Sequence, residues 1–172
     1  MFRIWHPLRD AHHCTYRVIA LLVLAPEGRM SLPRLSILDT FLLFPQYLHK
    51  ISYAGMGEIR VELRQLDVPS AAESYVNLPD IRSVYRELQT FQKAAFRQLV
   101  AKGLISRDEY TNGSAQLNGP AIPARLFTDL NSFCSENRDL LEFLVHRIGA
   151  LQLDGANGIY RRANLELGGR FR

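Results

Sequence analysis

One segment of this sequence is too apolar to lie at the surface of a soluble protein. It reads RLSILDTFLLFP and covers residues 34–45. If the segment is helical, the apolar residues on its two sides are Leu35, Leu38, Phe41 and Leu42 on one and Ile37, Leu43 and Phe44 on the other. A helix that is apolar nearly all round is a buried helix. The segment therefore predicts either the middle helix of a bundle or a helix that buries its spare apolar face against a partner protein.

Length and composition favour one compact domain. The chain has 172 residues, of which 47% are hydrophobic, and this is enough to enclose a core. We predict a single domain over 1–172, with an N-terminal arm at 1–12, a helical core at 13–151 and a basic, glycine-containing tail at 152–172. Two cysteines make no disulfide framework, so we expect a reducing, cytoplasmic location.

The apolar run VIALLVLA, residues 18–25, is interpreted as part of a buried first helix over 13–25. A long polar segment precedes it, which is unlike a signal peptide. It is also far shorter than the roughly 20 residues that a helix needs to cross a bilayer. We therefore predict no membrane contact.

The remaining pattern is mostly helical, with a small β element. A long amphipathic helix is predicted between an Asn77 cap and a Gly103 stop. Asn112-Gly113 is a strong hairpin-turn signal, and two more helices are predicted at 124–137 and 138–153. Residues 54–71 alternate weakly, as a strand or an interrupted helical turn would. The order favours a mostly α, winged-helix-like domain with one β-hairpin wing and a basic C-terminal tail.

The search for catalytic chemistry predicts a protein that is not an enzyme. His12, His13 and Cys14 are metal-ligand types, but neighbours on a helix point about 100° apart and no second ligand cluster accompanies them. The carboxylates at Glu58 and Glu62, with Asp67, are interpreted as the solvated side of a strand. No phosphate-binding glycine loop or nucleophile elbow is present in the sequence. We expect no metal and no cofactor.

The arginines allow two interpretations. The candidates for contact with DNA or an acidic partner are Arg82, Arg86 and Arg97 on the long helix, and Arg161, Arg162, Arg170 and Arg172 in the tail. Arginine suits both phosphate and carboxylate partners. With Lys93 and Lys102, the helix arginines would line a DNA backbone, or they would form an ordinary solvated helix face. The polar face of that helix has few base-reading side chains apart from Gln89, Gln92 and Gln98.

Three pieces of the sequence carry a family resemblance when they are taken together. They are IWHP, TYRVIALLVL and SLPRLSILDTFLLFPQYL, all within residues 3–48. With the long helix leading to GLI and the basic ending GIYRRANLELGGRFR, the chain resembles the small middle components of bacterial ABC-three-component systems, which include the small subunit of Lamassu-type anti-phage defence. As an order of elements, the resemblance covers most of the chain. The central segment AGMGEIRVELRQLDVPSA does not match the pattern, so its role is not predicted.

The resemblance implies a non-catalytic accessory subunit of a complex for anti-phage or anti-plasmid defence. In such a system an SMC-like ABC-type ATPase senses DNA, an effector, often a nuclease, does the damage, and the middle component joins them. An obligate interface needs surplus apolar surface, and the candidates for partner binding here are Leu35, Leu38, Phe41, Leu42 and Phe44. DNA contact would come through the complex.

Two rival functions predict different behaviour. A free-standing winged-helix transcription regulator would dimerise and place Arg82, Arg86 and Arg97 against base edges. An enzyme with a cryptic site would carry a strongly bound metal.

Overall fold

The computed structural model describes residues 11–70 and 78–166. The helices in these ranges are α1 Ala11–Leu24, α2 Leu32–Leu43, α3 Gly57–Gln65, α4 Ile81–Ala101, α5 Arg107–Thr111, α6 Ala124–Glu136, α7 Arg138–Phe143 and α8 Ile159–Arg162. The strands are β1 Arg29–Ser31 and β2 Ser114–Gln116. A 3₁₀ segment at Pro45–Lys50 follows α2, and α7 continues as a π-helical turn at Leu144–Ile148. The mostly α fold with a small β element is confirmed.

Helix α2 is buried within the chain's own core. It packs against α1, α4, the 3₁₀ segment and the π-helical turn. Leu35, Leu38 and Phe41 are at most 1% exposed, and Leu42 is 8% exposed. The segment at 34–45 is therefore apolar on nearly all sides because it is the middle helix of a bundle, which is the first of the two alternatives that the sequence allowed.

The ends of α4 follow local chemistry. The Asp80 carboxylate accepts a hydrogen bond from the Ser83 amide and caps the N-terminus, whereas the predicted cap, Asn77, lies outside the described residues. Gly103 follows the last turn with a φ of +69°, a conformation that costs other residues free energy. The predicted glycine stop is confirmed.

The small sheet pairs different strands from those expected. β1 and β2 are antiparallel, with Met30 opposite Ala115, although they are far apart in sequence. A single bridge between Ile105 and Leu117 joins the two runs that flank Asn112-Gly113, and α5 occupies most of the first run. The winged-helix assignment stays a prediction. The position of β1 between α1 and α2 agrees with a winged-helix order of elements. In contrast, α5 forms a helical turn where the first wing strand was expected.

The segment at 54–71 contains a helix and not the strand that was one of its two interpretations. The alternating apolar residues of this segment do not share one buried face. Leu63 is buried, whereas Val61 is 51% exposed. The carboxylate of Glu62 lies on this helix and pairs with Arg147, which donates from Nε at 2.7 Å. Glu62 therefore does not belong to the solvated side of a strand.

The predicted tail is part of the domain as far as residue 166. Leu165 is 0% exposed and Ile159 is 2% exposed, so both belong to the core. These two residues pack back against the helices, and the division at residue 152 within the single predicted domain stays a prediction. Residues 167–172 lie outside the described part, as does most of the predicted arm. In the described ranges, no helix is long and apolar enough to cross a bilayer.

Candidate functional site

A polar cluster is buried where α1, α2 and α4 meet. Arg17 donates to both carboxylate oxygens of Asp39, from Nε to Oδ1 at 2.6 Å and from Nη2 to Oδ2 at 3.2 Å. Gln92 donates from Nε2 to Asp39 Oδ2 at 2.8 Å and to the Ser36 carbonyl at 3.0 Å. Asp39 and Gln92 are 0% exposed. The cluster ties three helices together through one carboxylate.

Cys14 belongs to the same cluster. Its Sγ donates to Asp39 Oδ2 at 3.6 Å, and the residue is 1% exposed. Burial, with the Asp39 carboxylate adding to it, raises the pKa of the Cys14 thiol well above its usual range. The neighbouring His12 and His13 are exposed at the start of α1. Among the described residues, no group of three metal-ligand side chains comes together.

The cluster stabilises the packing of three helices and holds no reactive group. The thiol is kept protonated, and the carboxylate is enclosed by donors from three helices. Gln92 was expected on the polar face of the long helix and is instead inside the core, so it cannot read a base edge. Its position four residues after Leu88 and three before Ala95, both buried, was the available signal.

The exposed side of α4 carries a line of basic side chains. We use the term basic face for Arg82, Arg86, Lys93 and Arg97, which are spaced four, seven and four residues apart and are all exposed. At 1.5 Å per residue the line is about 22 Å long. In the described part of the chain, the guanidinium groups of Arg86 and Arg97 have no hydrogen-bond or ion-pair partner. Two cations of the predicted set are therefore available to an external anion.

The other predicted arginines are held differently. Arg82 donates to the carbonyl of Asn164 at 2.9 Å and to its side-chain oxygen. Arg162 donates to the carbonyls of Ser52 at 2.8 Å and Ala54 at 3.0 Å, so it fastens α8 to the segment before α3. Arg161 is exposed. Arg170 and Arg172 lie outside the described residues, and partner contact through any of these arginines stays a prediction.

A groove lies beside the basic face, between α2, α4, the α5 turn and α8. Its volume is about 440 Å³. The residues that line it are Leu32, Pro33 and Ser36 of α2, Tyr85, Gln89, Lys93, Phe96 and Arg97 of α4, and Tyr110, Gly113 and Tyr160. Burial raises the pKa of both Tyr85 and Tyr160. The groove combines an apolar, aromatic lining with two cations and with no acidic residue among those that line it.

Four of the five apolar residues predicted to bind a partner are buried within this chain. Leu35, Leu38 and Phe41 contact the other helices, and Leu42 is 8% exposed. Partner binding by these residues stays a prediction. Phe44 is half-buried, stacks edge-on against Tyr47 at 5.9 Å between ring centroids, and remains a predicted contact.

Comparison with protein families gives a match over nearly the whole chain. The model described as the ABC-three component (ABC-3C) system Middle Component 5 matches residues 3–167. Neither a curated protein nor a solved structure matches the chain. The matched range includes the buried cluster, the basic face and the groove.

Proposed function

The chain belongs to the ABC-three-component system Middle Component 5 family, and from that premise we propose that it is a non-catalytic subunit that joins an SMC-like ATPase to an effector nuclease in a bacterial defence complex. The observation that carries the proposal is the family match over residues 3–167. A middle component works with the other components of its system. The identity of those components as an SMC-like ATPase and a nuclease, and the Lamassu-type anti-phage role, are the proposed part.

The geometry supports an accessory role through what is exposed and what is enclosed. The buried carboxylate and thiol of the polar cluster are unreachable by a substrate. The exposed features are the basic face and the groove, which have the chemistry of a binding surface. The buried polar cluster stabilises the packing of the helices, and the basic face and the groove are left for binding. This division fits a linking subunit.

The proposal predicts that the effector binds the ATPase only when this chain is present. The tagged ATPase is co-expressed with the effector, with and without the chain, and effector recovery on the affinity resin is compared. Recovery that rises at least tenfold with the chain supports a linker. Equal recovery in both samples would refute it. The chain carries no substitution in this experiment, so a folding defect in it cannot explain a difference in effector recovery.

One observation favours a second candidate, a winged-helix DNA-binding regulator. Arg86 and Arg97 are exposed on α4 and are available to phosphates. This candidate predicts a homodimer whose affinity for duplex DNA falls steeply with salt, by about 0.9 in the log–log slope for each phosphate neutralised. Titration of a labelled duplex at several salt concentrations separates the two functions, because a linker without DNA affinity of its own gives no binding isotherm.

A further inference from the structure

The groove beside α4 differs from a plain basic surface. Its floor is made of apolar and aromatic groups, among them Leu32, Pro33 and Phe96, and it is concave. A volume of about 440 Å³ lies within the range of pockets that enclose a compact ligand. Transfer of an apolar group of the ligand from water into such a site makes the binding free energy more favourable.

Positive charge is concentrated on one wall of the groove. Lys93 and Arg97 are four residues apart on α4, so their side chains lie on neighbouring turns. An anionic ligand with an apolar part would complement both properties of the groove.

We propose that the groove binds an acidic segment of another component of the complex, with an apolar side chain in the groove and carboxylates on Lys93 and Arg97. The proposal rests on the proposed function and names the partner chemistry of its surface. One feature favours a protein segment over duplex nucleic acid. A duplex backbone presents phosphates and no apolar side chain to the apolar lining of the groove.

The test uses the assembled complex and a cross-linker placed in the groove. Tyr110, which lines the groove and is half-buried, is replaced by the photo-reactive amino acid p-benzoylphenylalanine. The matched control carries the same replacement at Thr90, which is exposed on α4 and outside the groove. After irradiation, cross-linked peptides are identified by mass spectrometry. The expected result is a cross-link from position 110, and not from position 90, to a segment of another component that contains Asp or Glu.

Charge reversal supplies a second readout. Lys93→Glu with Arg97→Glu is expected to lower the affinity for the other component at least tenfold, since two attractive contacts become repulsive. Arg125→Glu, an equal change in sign at an exposed position of α6, is expected to change it less than twofold. Thermal unfolding of each variant confirms that the fold is intact.

The outcomes separate the two proposals. Cross-links from position 110 to nucleic acid, or to no component of an intact complex, would overturn the groove assignment while the linking function stands. Unchanged affinity in the double charge-reversal variant would overturn it too. If the unmodified chain binds no other component, the proposed function fails, and the groove proposal fails with it.

Discussion

The buried ion pair leads to a strong stability prediction. Asp39→Asn keeps the size of the side chain and removes its charge, so the Arg17 guanidinium, whose side chain is 8% exposed, loses its ion pair with Asp39. The new amide also places a donor where Arg17 and Gln92 already donate, at 2.6 and 2.8 Å. Breaking a buried pair on one side costs about 3–5 kcal/mol. With about 2.1 cal/mol/K of unfolding entropy per residue over 172 residues, this lowers Tm by about 8–14 °C.

The assay is thermal and urea unfolding of the two proteins followed by circular dichroism. Asp67→Asn, at an exposed loop position, is the matched control and is expected to change stability by less than about 0.5 kcal/mol. The double variant Arg17→Met with Asp39→Leu removes both charges and is expected to regain at least half of the loss. A cost below about 1 kcal/mol for Asp39→Asn would refute the assignment of this carboxylate to the junction of three helices.

Three further outcomes follow from burial and backbone conformation. Because burial raises the pKa of Cys14, less of it is thiolate at any pH, so iodoacetamide labelling of the native protein at pH 8 should modify Cys134 first and Cys14 only on unfolding; equal rates would contradict this. Leu165→Ala should lower the free energy of unfolding in urea by about 2–5 kcal/mol, because Leu165 is buried. If residue 165 lay in an exposed tail, the substitution would change that free energy very little. Gly103→Ala should cost about 1–2 kcal/mol because φ is +69°, although a Cβ meets no neighbouring atom, and a neutral result would contradict it.

Periodicity predicted the long elements well because each long helix repeats its apolar signal over several turns. The stripe of α4 and the all-apolar α2 are examples. Short elements carried too little signal. Ile59, Val61 and Leu63 alternate, but Ile59 and Leu63 are also one helical turn apart, so the pattern fits both structures. β1 and β2 are three residues each and pair across more than eighty residues, a contact that spacing cannot reveal.

The site was predicted in part. The exposed arginines of α4 follow from their spacing, because residues three, four and seven apart share a helix face. The groove could not be predicted, since Pro33, Tyr110 and Tyr160 come from three elements whose packing is not local. The roles of Arg162 and Gln92 were missed for the same reason. Their partners lie more than fifty residues away in sequence.

Affinity purification from the native operon determines whether this chain works as a subunit. The tagged chain is recovered at about 0.15 M salt, where a Debye length of about 8 Å preserves the contacts of Lys93 and Arg97. The mass of the eluted species is then measured by light scattering. We expect a stable assembly that contains a large ATPase of the same system. A lone homodimer that shifts duplex DNA would contradict it.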